Sequence, residues 1–376
     1  MRKILFYLNT ANQLISALNI IDSKLQPPGE LNCILSDRLI SQKLKYRIKS
    51  LGIFRNIYTV PTQRPTLKKW LSSRDIRRVY PFSSLVTNIL KKNTSYLTEE
   101  IPSIYREAFQ CLRATTDIFF HTDQNSLLAL CNKSCKRHLI DEGTRSYTLE
   151  SLQVNPDCIY LYEPELAKFA NIQTVKIKKI SSFRSQLIEW LDTVFPTAPL
   201  SSNDIFFDQP LGKRPYGFFT KLSKKSQNET LKFRARIEII KLATKIADTP
   251  LILRLHPGTN LSQKRYLSKL FNTKSSSAPF EIELLKTRFS TLNLYTIYST
   301  AICYFLLIFD EDQFRNSSIN LYIFLPTYIE LSQAPIDPTL MAFFQKLSKK
   351  HTNIHFITSN FYKECSLKLN PPHHSN

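Results

Sequence analysis

The sequence predicts an α/β protein with two doubly wound parallel sheets in tandem. Three observations support this prediction. Short β-branched or apolar runs alternate with longer amphipathic runs over about the first half of the chain. A segment at 196–203, rich in Pro and Ser, then shows no periodicity. After it the same alternation begins again. We therefore expect two domains, residues 1–198 and residues 199–376.

The first half contains five predicted strands and several helices. The strands are expected at 4–8, 32–36, 56–60, 117–121 and 138–141. The first helix is expected at 12–25, where apolar residues recur at helical spacing behind Thr10 or Asn12 as the N-cap. A helix at about 182–194 closes this half.

The second half repeats the pattern. Its strands are expected at 205–207, 251–255, 292–298, 319–325 and 353–357, with helices at about 231–247 and 261–271. In open parallel sheets, ligands bind beyond the carboxyl ends of the strands, where helix N-termini also gather. Functional residues are therefore expected directly after strands.

Composition limits the function classes. The 376 residues include 51 Lys and Arg against 30 Asp and Glu, so the net charge is +21 and an acidic partner is expected. The hydrophobic fraction of 43% and the charged fraction of 22% exclude a disordered basic chain. Only six glycines are present, and neither the G-x-G-x-x-G pattern nor a P-loop occurs.

Membrane and disulfide signals are weak. The longest apolar run, 301–309, is too short to cross a bilayer, and the apolar run after Met1 is interrupted at Asn9, so we interpret it as a first strand. Seven cysteines without a C-x-x-C pair indicate a reducing compartment. Cys131 and Cys135 lie near His138, but no second ligand pair follows, so we expect a structural cluster rather than a zinc site.

Three polar motifs follow predicted strands. Asp141, Glu142 and the scarce Gly143 follow the strand at 138–141, where a carboxylate can act as a base, although these residue types also favour a simple turn. The strand at 251–255 leads into His256-Pro257-Gly258, whose imidazole can donate to a phosphate or merely cap a turn.

The third motif is Ser299-Thr300, which follows the strand at 292–298. Hydroxyls at a helix N-terminus suit an anion, although simple N-capping explains Ser299 equally well. One motif lies in the first half and two lie in the second, as expected for a cleft between two doubly wound domains.

These motifs resemble those of bacterial sialyltransferases of glycosyltransferase family 52, the lipooligosaccharide sialyltransferases. The opening run at 4–21, which includes Asn9, Thr10 and Gln13, is also similar to that family. So are Asp208-Gln209-Pro210-Leu211 and the run at 280–285 that contains Glu281. The resemblance covers most of the chain in order and spacing, although each motif is short.

The resemblance implies a fold of the GT-B type, with two Rossmann-like domains facing a central cleft. It also implies an inverting transferase that needs no metal or other cofactor. The enzyme would move sialic acid from CMP-N-acetylneuraminate to a terminal galactose of a cell-surface lipooligosaccharide or polysaccharide. A single phosphodiester in the donor leaves no pyrophosphate for a divalent metal to hold.

The resemblance further implies residue roles. Asp141 is the expected base, with Glu142 as the alternative, and His256 is expected to act on the departing phosphate. The expected donor-binding residues are Gly143, Pro257, Gly258, Ser299, Thr300, Glu281 and Gln209. The residues expected at the acceptor, or on the N-terminal side of the cleft, are Asn9, Thr10 and Gln13.

One departure concerns the base. Some family members use an aspartate before the His-Pro pair, but the segment 224–245 contains Glu229 and Glu238 and no Asp. Asp248 lies at the wrong end of the next strand. Asp310-Glu311-Asp312 imitates the D-x-D metal motif of the other large glycosyltransferase fold, and we expect a solvated acidic turn there.

The basic charge has two interpretations. Nucleic-acid binding is disfavoured because no helix-turn-helix, zinc-finger or RNP pattern occurs and basic residues lie in both halves. We expect a cytoplasmic enzyme held peripherally on the anionic inner face of the membrane. A homodimer is left open. The alternatives are a transferase using CMP-Kdo or a nucleotide hexose, and a non-catalytic glycan-binding protein.

Overall fold

A computed structural model of the protein describes residues 1–36, 42–60, 103–121, 128, 131–141, 143, 145–148, 155–167, 171–212, 224–256, 258–274, 278–299, 301–314, 316–333, 338–351 and 353–358. The chain forms two compact units, Met1–Pro196 and the part from Thr197 onward. The division falls within the segment at 196–203, two residues before the expected boundary.

Seven parallel strands form the sheet of the first unit, in the order β3-β2-β1-β4-β5-β6-β7. They are β1 Lys3–Leu8, β2 Glu30–Ser36, β3 Asn56–Val60, β4 Asp117–Phe120, β5 Lys136–Ile140, β6 Cys158–Leu161 and β7 Thr174–Lys176. The order reverses between β1 and β4, which makes the carboxyl ends of these two strands the switch point where such sheets bind ligands.

Six parallel strands form the sheet of the second unit, in the order β10-β9-β8-β11-β12-β13. They are β8 Asp204–Phe207, β9 Ile252–Arg254, β10 Thr273–Lys274, β11 Thr291–Thr296, β12 Ser318–Ile323 and β13 Ile354–Phe356. Numbered along the unit, this is the Rossmann order 3-2-1-4-5-6, with its switch point between β8 and β11. The predicted α/β class, with two Rossmann-like units in tandem, is confirmed.

The described helices connect these strands. In the first unit they are α1 Ala11–Asp22, α2 Gln42–Ser50, α3 Ser103–Ala114, α4 Arg145–Thr148 and α5 Ser185–Val194. In the second unit they are α6 Lys224–Ile246, α7 Leu261–Leu270, α8 Phe280–Leu285, α9 Ala301–Ile308, α10 Leu325–Ser332 and α11 Pro338–Lys350. Among these, no helix is long and apolar enough to cross a membrane.

Buried strands explain why the sequence pattern is so regular. The last five residues of β1 are all buried, as are all four of β4. Their aromatic rings stack across the sheet, with Phe6 and Phe119 4.5 Å apart and Phe119 and His138 4.5 Å apart between centroids. Helices on both faces require such continuous apolar strands, and the packed sheets give the strand ends a rigid base.

Candidate active site

His256 lies just after β9, and a turn fixes its imidazole. The backbone N–H of Gly258 donates to Nδ1 of His256 at 2.9 Å, and the N–H of Thr259 donates to the His256 carbonyl at 2.9 Å. With Nδ1 acting as acceptor, the ring proton of the neutral imidazole lies on Nε2. A Cβ added at Gly258 would lie 3.1 Å from Nδ1, so glycine lets the turn close this tightly.

A buried ion pair lies beside this turn. Asp208 follows β8, and its carboxylate accepts from Nε of Arg236 at 2.7 Å and from Nη2 at 2.5 Å. Both residues are almost completely buried. Desolvation lowers the pKa of His256, the nearby Asp208 raises it, and Arg236 and Lys264 lower it further. The imidazole is therefore neutral at pH 7 and offers Nε2–H as a donor.

Gln209 and Gly212 shape the loop after β8. Oε1 of Gln209 is buried and has no hydrogen-bond partner among the described residues, so it can accept from a ligand. Gly212 has φ +70°, and a Cβ there would come within 2.4 Å of the Glu229 carbonyl oxygen and of the Phe233 backbone nitrogen. The loop can lie against α6 only because residue 212 has no side chain.

Glu281 is almost completely buried on the short helix α8. Burial raises its pKa to about 7, against the attraction of Arg254, which lowers it. Arg254 itself donates to Glu283 at 2.6 Å and to the Ala278 carbonyl at 2.8 Å. Arg254 thus anchors α8 at the end of β9, two residues before His256.

Ser299 follows β11, the strand that pairs with β8. It is buried, and its backbone N–H donates to Oγ1 of Thr296 at 2.7 Å. The sequence left both an anion site and simple N-capping open for Ser299. The Thr296 hydroxyl accepts the Ser299 N–H, so that N–H supports the strand end and is not offered to a phosphate.

Asp141 follows β5 in the first unit and is fully buried. Its carboxylate accepts from the Tyr147 hydroxyl, from the Gly143 N–H at 2.8 Å and from the Tyr162 N–H at 3.3 Å. Burial and the neighbouring Asp141 raise the pKa of Tyr147, which therefore stays a donor. Asp141 organises the turn, in which Gly143 has φ 99°. This saturated arrangement argues against our expectation that Asp141 itself is the base.

Asn9, Thr10 and Gln13 lie at the switch point of the first sheet. The Thr10 side chain accepts from the Gln13 N–H at 3.3 Å, and Oε1 of Gln13 accepts from the Thr10 N–H at 3.1 Å. This capping box begins α1. It accounts for Thr10 and Gln13 without an acceptor sugar, whereas Oδ1 of Asn9 is buried with no partner among the described residues.

The second unit therefore brings several expected residues to one sheet edge. Strands β9, β8 and β11 are neighbours, so His256, Gln209 and Ser299 follow three adjacent strand ends. Helix α8, which carries Glu281, is tied to the same edge through the hydrogen bond from Arg254 to Glu283. Asp141 and Asn9 belong to the other unit. Glu142, Pro257 and Thr300 lie outside the described residues.

The structure also describes the cysteine cluster near His138 and the start of the acidic run at Asp310. Cys131 and Cys135 are both buried, while Nε2 of His138 lies 3.2 Å from Asp117. In the described part of the chain, no group of three or more His, Cys, Asp or Glu is arranged to hold a metal ion. Asp310 precedes a single 3-10 turn, Glu311–Phe314.

Sequence reasoning missed three residues of this site: Arg236, Arg254 and Gly212. The two arginines had a local signal. Arg236 occupies an apolar position of α6, in line with the buried Phe233 and Ile240, and Arg254 interrupts the apolar run of β9. A charge inside an apolar stripe indicates a buried partner, but the sequence does not identify that partner.

Protein-family models and curated proteins yield no match to this chain. Similar solved structures include the GT-B domain of a Photobacterium damselae sialyltransferase, at 11% identity over 94% of this chain and 99% of that chain, with a TM-score of 0.41. A spinosyn rhamnosyltransferase complexed with thymidine diphosphate is 11% identical over 98% of this chain and 95% of that chain, with a TM-score of 0.36.

The heptosyltransferase WaaC of E. coli is 10% identical over 98% of this chain and the whole of that chain, with a TM-score of 0.35. At these identities and TM-scores, the likenesses assign no activity to this chain.

Proposed function

We propose that this chain is an inverting glycosyltransferase whose donor is a nucleotide sugar, namely CMP-N-acetylneuraminate. The observation that carries the proposal is the fixed orientation of the His256 imidazole. Its Nδ1 is fixed by Gly258, and its Nε2–H is free of the turn at the carboxyl edge of a Rossmann-like sheet. A neutral imidazole held in this way can hydrogen-bond to a phosphate oxygen as negative charge develops there.

The reaction consists of one displacement. The acceptor hydroxyl oxygen bonds to the anomeric carbon while the bond from that carbon to the phosphate oxygen breaks. The bonding electrons leave with CMP, and the acceptor proton passes to a base. His256 stabilises the departing phosphate. Because the phosphate is anionic, its arrival favours the protonated imidazole and strengthens this contact.

Donor binding is supported by two buried acceptors at the same edge. Glu281 presents a desolvated carboxyl group, and sugar hydroxyls are the donors that suit it. Oε1 of Gln209 offers a second acceptor for a hydroxyl or amino group of the donor. Both residues can orient the nucleotide while His256 contacts its phosphate.

The base is assigned within the Asp141-Glu142 pair. Asp141 is buried and its carboxylate accepts three hydrogen bonds, which favour the ionised form and make it a weaker base. We therefore assign the proton transfer to Glu142. Glu142→Gln should lower turnover by about 10²-fold or more. Asp141→Asn should lower both turnover and the unfolding temperature, because it disturbs the turn.

Full activity of Glu142→Gln, measured as CMP release, would place the base elsewhere. Activity of Asp141→Asn that falls with unchanged stability would instead return the role of base to Asp141.

The acceptor is proposed to be a terminal galactose of a lipooligosaccharide or polysaccharide, reached at the cytoplasmic face of the membrane.

Helix α2 supports the proposal that an anionic membrane surface is a partner. It carries Lys43, Lys45, Arg47 and Lys49 and no acidic residue, and its Tyr46 is 74% exposed. Basic side chains beside an exposed ring suit an anionic lipid surface.

The test is incubation with CMP-N-acetylneuraminate and a lactose-terminated acceptor in EDTA, with products identified by mass spectrometry. We expect free CMP and a sialylated acceptor. CMP-Kdo and UDP-hexoses are the competing donors. Transfer from one of these alone would keep the glycosyltransferase and replace the donor, whereas loss of activity in EDTA would show that a metal is needed. Glycan binding without turnover of any donor would contradict the proposal.

A further inference from the structure

The buried Asp208–Arg236 pair has no role in the reaction described so far. Both side chains are closed to solvent, and Arg236 is the largest fully buried side chain among the described residues. Such a pair contributes little net stability compared with apolar side chains of the same size, because both charges lose their hydration. Its position beside the His256 turn therefore needs another explanation.

We propose that Asp208 and Arg236 are positioning residues for His256: the ion pair holds the turn that carries the imidazole and sets the electrostatic field at the ring. This inference rests on the proposed function, because it assigns a role to two residues in the activity of His256.

The geometry connects the pair to the turn. Oδ2 of Asp208 lies 3.5 Å from the hydroxyl of Thr259, and Thr259 closes the turn by donating its N–H to the His256 carbonyl. The Asp208 N–H also donates to the carbonyl of Arg254 at 3.0 Å. The carboxylate therefore contacts the residue that closes the turn, and its backbone contacts the strand that leads into it.

Arg236 is held from the opposite side. Its Nη1 donates to Oε1 of Gln263 at 3.3 Å, and Nε2 of Gln263 donates to the carbonyl of Gly212 at 3.0 Å. Gln263 also donates its N–H to Asn260, the N-cap of α7. One guanidinium thus joins the loop after β8, helix α6 and the start of α7, which begins just after the His256 turn.

The charges around the imidazole oppose one another. Asp208 raises the pKa of His256, whereas Arg236 on α6 and Lys264 on α7 lower it. Removing the carboxylate should therefore shift the His256 titration to lower pH. Burial raises the pKa of Asp208 and Arg236 lowers it, so removing the guanidinium should shift the His256 titration to higher pH as long as Asp208 stays ionised. Two variants that only disturb packing would not shift it in opposite directions.

The experiment is an NMR titration of the His256 ring in the full-length protein, with the signal assigned by its loss in His256→Asn. Asp208→Asn should lower the pKa of His256, and Arg236→Gln should raise it. Arg236→Lys, which keeps the charge, should restore a value near that of the wild type.

Asp204→Asn is the matched control. Asp204 is buried at the opposite end of β8 and accepts from Thr249, Asn293 and Tyr295. The Asp204→Asn substitution should lower the unfolding temperature without shifting the His256 titration.

Should Asp208→Asn fail to fold, Thr259→Val and Arg236→Lys keep the proposal testable. Thr259→Val should loosen the turn and raise KM or lower kcat without changing the net charge. Shifts in the same direction for both charge variants, or no shift in folded protein, would overturn the proposal. The titration needs no substrate, so it gives an answer even if CMP-N-acetylneuraminate proves not to be the donor.

Discussion

Glu281 and Glu283 are two glutamates on the short helix α8, and their ionised side chains have opposite effects on the stability of the fold. Glu283 pairs with Arg254 at 2.6 Å, whereas burial raises the pKa of Glu281 to about 7 from an ordinary value of 4.5. A raised folded-state pKa means that folding favours the protonated form. The stability contributed by protonated Glu281 is present below about pH 4.5 and is lost as the pH rises through 7.

Glu281→Gln should therefore stabilise the protein at pH 8 by up to about 3 kcal/mol, and have little effect at pH 4.5. Glu283→Gln should destabilise it at pH 8, because it leaves Arg254 without its partner. Urea unfolding at the two pH values measures both. Glu281→Gln should also weaken donor binding, since it removes a buried acceptor. Equal destabilisation by both variants at pH 8 would contradict the difference between the two environments.

At the scale of elements, the loop after β8 depends on the close approach of Gly212 to α6. Gly212 and Gly52 have nearly the same backbone angle, φ +70° and φ +67°, but only Gly212 has neighbouring backbone atoms that a Cβ would strike. Gly52→Ala therefore measures backbone strain alone, and Gly212→Ala measures strain together with a clash.

Gly52→Ala should cost about 1 kcal/mol, and Gly212→Ala should cost at least about 2 kcal/mol more, because α6 or the loop must move. Thermal unfolding measures the difference. Since Gln263 bonds to the Gly212 carbonyl, Gly212→Ala should also lower turnover, whereas Gly52→Ala should not. Equal costs for the two variants would show that the loop has room beside α6.

How well the sequence predicts an element depends on burial and length. All ten predicted strands are present, with ends shifted by at most two residues, because buried parallel strands are continuous apolar runs. Strands β6, β7 and β10 were missed, and β6 was missed although all four of its residues are buried. β10 and β7 have two and three residues at sheet edges, where one-sided burial leaves no clear pattern.

The candidate site, like the strands, could be predicted only in part. The positions of His256, Gln209 and Asp141 after strands were predictable, because parallel strands place their following residues at one edge. The hydrogen bonds that decide their chemistry were not. Asp141 is saturated by Tyr147, six residues later, and Asp208 by Arg236, 28 residues later, and no local pattern encodes such partners.

At the scale of the whole molecule, the +21 charge predicts a salt-sensitive attraction to anionic surfaces. Among the described residues, we place this attraction on α2, with its exposed Lys43 and Lys49. Lys43→Glu with Lys49→Glu should weaken binding to vesicles containing anionic lipid by about tenfold or more.

The control is Lys245→Glu with Lys269→Glu, which changes the net charge equally on exposed positions of the second unit. Sedimentation with vesicles at low and high salt measures both. Equal weakening by the two pairs would show that overall charge, and not α2, governs binding. Equal binding of the wild type to neutral vesicles would contradict an electrostatic attachment.

The central claim is that His256 acts on the departing phosphate of a nucleotide sugar. The most direct measurement is the rate of CMP release from CMP-N-acetylneuraminate, with a lactose-terminated acceptor, by the wild type, His256→Ala and His355→Ala. His355 is an exposed histidine on β13 of the same sheet and serves as the control. We predict a loss of about 10²-fold or more for His256→Ala alone. Near-normal CMP release by folded His256→Ala would contradict the account.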